Sequence, residues 1–153
     1  MAKLPSFSVL RQHYPDQDPD TVKKTIGGRV DADWITNTCA IRMSRALNYS
    51  GIAIPHGVPN LHVISGADGK WYSYRMRELQ HWLGTAFGPA DLVETDHLKR
   101  SDFAGVSGII AFDIQFDDAS GHVDLWDGAS YIHQTSDARD YFTLATKVQL
   151  WKC

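Results

Sequence analysis

Apolar residues recur at helical spacing through the first half of the chain and at alternate positions through much of the second, so helix comes early and sheet late. Residues 37–48, NTCAIRMSRALN, carry Ala40, Met43, Ala46 and Leu47 on one stripe, with Arg42 and Arg45 off it. Asn37 or Thr38 can cap that helix, and Asn48-Tyr49-Ser50-Gly51 stops it. A second helix is read in MRELQHWLGTAF from Met76, Leu79, Trp82, Leu83 and Phe87, with Gly84 and Gly88 weakening its end. Ahead of it, LHVISGADGKWYSY reads as two strands joined at Ala67-Asp68-Gly69. Four apolar runs follow the polar linker DHLKRSDFAG: VSGIIAFDIQF, GHVDLWDG, SYIHQ and YFTLATKVQLW, each read as a strand. The N-terminal stretch reads as a helical turn or two over 6–13, a loop at PDQDPD and a bend at Gly27-Gly28. This segregation predicts an α+β domain with helices packed on one side of an antiparallel sheet.

A chain of 153 residues, 43% hydrophobic, buries one core and has no need of two, so a single domain over 1–153 is expected. Its formal charge of −3 offers no basic field for a phosphate backbone, and no Lys/Arg run interleaves with its aromatics, which argues against nucleic acid. The N-terminus, MAKLPSFSVLRQHYPDQDPD, lacks the apolar core of a signal peptide, and no run approaches the roughly 20 apolar residues of a membrane span. Synthesis in the cytoplasm without a signal is therefore expected. Cysteine occurs only at Cys39 and Cys153, so disulfides are not expected to staple the fold.

Cys39 sits where a helix begins, and there the unsatisfied N–H groups and the helix dipole favour a thiolate. A lone cysteine is as readily a small buried hydrophobe. Acyl chemistry needs more than a thiol: an imidazole to move the proton, and a third group to hold the imidazole. His13, His56 and His97 fall in loops, His81 in a helix, and His62 at the start of a strand. His122 opens GHVDLW, where His122, Asp124 and Trp126 share one face and Val123 and Leu125 the other. If Asp127-Gly128 is a two-residue turn, Trp126 faces Ala129, Asp124 faces Tyr131 and His122 faces His133. Counting thus proposes His133 as the group that orients His122, with Asp124 and Asp137 as rivals. SGADGKW departs from a phosphate-binding loop, and neither HExxH nor zinc-ligand spacing occurs, so no cofactor or metal is expected.

CAIRMSRALN, ISGADGKWYSYR, SDFAGVSGII and GHVDLWDG, in this order, resemble the fourth group of type VI secretion amidase effectors. These belong to the NlpC-type, papain-like cell-wall peptidases. The likeness runs from PSF near the N-terminus to about Gly128. It implies a papain-like fold, Cys39 as nucleophile and His122 as base. It also implies hydrolysis of the amide between D-glutamate and meso-diaminopimelate in peptidoglycan stem peptides. The partners implied are those stem peptides, type VI secretion components and a cognate immunity protein that plugs the cleft; the destination implied is a target cell's periplasm. Two departures stand out. Eleven residues after the histidine this chain has His133 where the family places an aspartate, and the family's often paired cysteines around that loop are missing. Two other readings keep the same residues: a papain-like acyltransferase or isopeptidase on another substrate, and a binding protein that retains the fold without catalysis.

Overall fold

The structure, a computed structural model, describes residues 2–114, 121–133 and 140–153. Its first helix, α1 (Phe7–His13), is capped by Ser6, whose hydroxyl accepts from the Val9 N–H. The second, α2 (Pro19–Ile26), was not foreseen, because the PDQDPD stretch reads as loop. Asp18 and Pro19 within it are instead helix-start chemistry: the Asp18 carboxylate accepts from the Thr21 N–H at 3.1 Å, and Pro19 takes the first helical position, where no N–H is needed. Helix α3 (Cys39–Tyr49) follows, then the hairpin β1 (Val63–Ser65) and β2 (Trp71–Ser73), and then α4 (Met76–Phe87), all close to expectation.

The main sheet comprises β3 (Leu92–Glu94), β4 (Gly108–Asp113), β5 (Gly121–Trp126) and β6 (Lys147–Lys152). All its pairs are antiparallel, in the order β3-β6-β4-β5. Three expectations change here. Strand β3 is an addition. Tyr141–Leu144 forms a short helix, α5, because Asp140 caps it by accepting from the Phe142 N–H at 3.1 Å; the strand begins only at Lys147. Among its described residues SYIHQ contributes a single bridge, Trp126 to Tyr131.

Helices α1, α3 and α4 pack on one face of the sheet. Leu10, Met43, Ala46, Leu47, Leu79 and Leu83 meet Ile109, Ala111, Val123, Leu125 and Trp151 there. Burying a side chain of this size contributes roughly 1.5–3 kcal/mol, so this layer fixes where α3 lies against β5. The opposite face is covered too. Phe103, Tyr131, Tyr141 and Phe142 close over Ile110, Phe112, Trp126, Val148 and Leu150. His122 and Asp124 therefore stand under a second apolar layer rather than in water. Gly121 leads into them at φ +153, and a Cβ there would fall on the Phe112 carbonyl oxygen and crowd Met76. Only glycine lets β5 enter the sheet that closely.

Candidate active site

Cys39 is the first residue of α3 and His122 the second of β5, the terminal strand of the sheet, along which α3 packs. Both are 4% exposed. The Asp124 carboxylate hydrogen-bonds the His122 ring, and the Cys39 sulfur lies near enough to that ring to favour its charged form. The carboxylate takes Nε2, at 2.8 Å from Asp124 Oδ2. The ring is also stacked on Tyr141, with centroids 4.2 Å apart and planes 13° apart. Tyr141 gives no sign of this role in the sequence, since it arrives from a distant segment.

Asp124 is wholly buried, and its acceptor capacity is used. Besides the imidazole it accepts from the Leu125 N–H at 2.7 Å and from the His133 main-chain N–H at 3.1 Å. The expected pairing of the two histidine rings is therefore corrected. Trp126 pairs with Tyr131, the Asp127 N–H donates to the Ser130 carbonyl, and the connection is the four residues 127–130 instead of two. Asp127 causes the lengthening: its Oδ1 accepts from the N–H groups of Ala129 and Ser130, a side-chain turn that competes with the tight Asp-Gly hairpin. The register moves by two residues, which sets His133 beside Asp124. The His133 ring lies 3.7 Å from Asp16, and burial, then Arg42, hold its pKa down, so it is neutral near pH 7. Asp137 lies outside the described residues.

The remaining histidines and Cys153 stand apart. The His62 ring bonds Glu78 at 2.8 Å at the surface, and His56 stacks on Trp71. Burial pushes the Cys153 thiol up to about 11, far from any thiolate at neutral pH. Among the described residues no three His, Cys, Asp or Glu side chains are grouped to hold a metal, and no helix is long and apolar enough to cross a membrane.

Burial by itself would lower the His122 pKa, but its bonds to Asp124 and Cys39 overcome that and lift it from 6.5 to about 9. The imidazolium is thus the resting form, between two groups that prefer it charged. Because the folded value exceeds the unfolded one, this stabilisation is fully present below about pH 6.5 and is lost as pH rises through 9. The unfolding free energy from urea titrations is expected to fall by on the order of 3 kcal/mol across that window. The decline should be much shallower in His122→Ala. Equal slopes in the two proteins would contradict the assignment.

A helix headed by cysteine, packed along a terminal strand that carries the histidine, is the arrangement of the papain-like, NlpC-type α+β fold. Residues 35–151 match the model of the type VI secretion system amidase effector protein 4 family, Tae4. The Tae4 effector of Enterobacter cloacae, in complex with the immunity protein Tai4, superposes at a TM-score of 0.87 and 29% identity over 98% of this chain and 99% of that one. The Salmonella typhimurium Tae4, bound to the Enterobacter cloacae Tai4, gives 0.87 and 31% over 97% and 99%. The Enterobacter cloacae effector alone gives 0.86 and 29% over 98% and 97%. No curated protein sequence matches the chain. The chain belongs to the Tae4 family of type VI secretion amidase effectors.

Proposed function

We propose that this effector hydrolyses the amide between D-glutamate and meso-diaminopimelate in peptidoglycan stem peptides, with Cys39 as nucleophile, His122 as acid and base, and Asp124 as the group that orients the ring. The observation that carries this reading is the Cys39 sulfur beside the His122 ring, whose Nε2 is bonded to the buried Asp124 carboxylate. Attacking as the thiolate, the Cys39 sulfur adds to the amide carbonyl, and the charge moves to the oxygen. His122 then gives a ring proton to the departing amine, which leaves as the tetrahedral species collapses to a thioester. Water next loses a proton to His122 and adds to the thioester; the C–S bond then breaks, which releases the acid and restores the Cys39 thiolate beside the imidazolium.

The oxyanion is received by N–H groups at the start of α3. One of them is engaged at rest, since the Cys39 N–H donates to Asn37 Oδ1 at 3.0 Å, so Asn37 must turn aside for that donor to be used. His133 supports the site through its main-chain N–H, which fixes Asp124. The chain acts as one domain over residues 1–153, in the periplasm of a target cell. A Tai4-like immunity protein would protect the producer, as the effector–immunity complexes of the Enterobacter and Salmonella relatives suggest.

Incubation with diaminopimelate-type tetrapeptide muropeptides should yield a fragment ending in glutamate and one beginning with diaminopimelate, resolved by mass. Tetrapeptides left intact at high enzyme concentration would remove the cell-wall assignment.

A further inference from the structure

A groove runs between α4 and the strands at the end of the sheet where His122 stands. Gly121, directly before His122, pairs across the strands with Asp113, and Asp113 pairs with Lys147, so the three form one row. Neighbouring strands lie about 4.8 Å apart, so the row carries from β5 to Lys147 in roughly 10 Å. The first turns of α4 lie along it. Met76 sits against Gly121, Arg77 Nη1 stands 3.8 Å from Asp113 Oδ2, and Gln80 Nε2 donates to Asp113 Oδ1 at 2.7 Å and also to Gln149 Oε1. Lys147 and Gln149 alternate along β6 onto this same face. The space they leave is about 350 Å³, within the range of small-ligand sites.

The charges in the groove are not balanced. Its one carboxylate, Asp113, is bonded by the neutral amide of Gln80, and Arg77 at 3.8 Å is too far for a hydrogen bond and half exposed. Lys147 has no ion pair among the described residues. Two cations thus face one acid, in a chain whose formal charge is −3. Such a groove suits an anion, and the reaction brings one. His122 protonates the departing amine, so the half of the stem peptide that is released, diaminopimelate followed by D-alanine, starts beside β5. That half carries free carboxylates at the far end of diaminopimelate and at the D-alanine terminus. Each lies about two residue lengths from the scissile nitrogen, roughly 7 Å when extended, which brings it across the row to the two cations.

We infer that Arg77 and Lys147 form a subsite for a free carboxylate of the released half, so that the enzyme selects its substrate partly by the leaving group. This rests on the hydrolysis proposed above. The test measures KM and kcat on three tetrapeptide muropeptides: unmodified, amidated at the diaminopimelate carboxylate, and amidated at the D-alanine carboxylate. For the native protein at least one amidation should raise KM about tenfold with kcat within about threefold, the loss of one charge-assisted contact made equally in ground and transition states. The amidation that does so identifies the carboxylate. The double variant Arg77→Gln, Lys147→Gln should show the raised KM on the unmodified substrate already, and that amidation should then change it less than twofold. The comparison among substrates uses the native protein, so it decides the matter even if the double variant does not fold. One KM for all three substrates, or a double variant that still discriminates among them, would overturn the inference and leave the hydrolysis standing. Cleavage of none of the three would overturn both.

Discussion

Asp124→Ala is expected to lower kcat by about three orders of magnitude with little change in KM, and it should do so in a folded protein. The carboxylate touches the imidazole in every step but never the substrate, so its loss falls on the transition state. Without it the ring is free to rotate away from the thiol, and the imidazolium loses the partner that lifts its pKa. Asp124→Asn keeps an acceptor at the same place and should retain part of the activity. His133→Ala is expected to cost less than about tenfold, because what His133 gives to Asp124 is its main-chain N–H, which alanine also has. The reverse ranking, with His133→Ala inactive and Asp124→Ala nearly normal, would return the orienting role to His133.

Cys39→Ala should abolish muropeptide hydrolysis altogether, since it removes the sulfur that the proposed mechanism uses as nucleophile. A more searching measurement is the rate at which Cys39 is alkylated by iodoacetamide. If the sulfur reacts as a thiolate beside the imidazolium, alkylation at pH 6 should run at least about tenfold faster than that of a free thiol, and His122→Ala should remove the advantage. Cys153, with its thiol pushed up to about 11, should contribute nothing at that pH. Equal rates for the wild type and His122→Ala would mean that thiol and ring are uncoupled, and would favour a protein that keeps the fold for binding alone.

Local pattern alone made α3, α4, the β1–β2 hairpin and the alternation of β5 legible, because each follows from spacing along a few consecutive residues. The same logic singled out Cys39 from its place at a helix start and His122 from the strand that it opens. Failures came where one residue's side chain overruled a dipeptide rule. Asp127 folds its carboxylate back on Ala129 and Ser130, which lengthens the turn and moves His133 from His122 to Asp124. Asp18 and Asp140 do the same at helix starts, and they turn a presumed loop into α2 and the front of a presumed strand into α5.

What only the tertiary structure decided is the environment. The alternation of His122 and Asp124 with Val123 and Leu125 says which residues share a face, not whether that face meets water. Phe103, Tyr131, Tyr141 and Phe142, from segments remote in sequence, close over that face and take it out of water. Burial then converts the near neighbours Asp124 and His122 into a bonded pair. Periodicity reports which side of a helix or strand a residue takes. It carries no information about what the rest of the chain lays on top, and here that layer sets the electrostatics of the site.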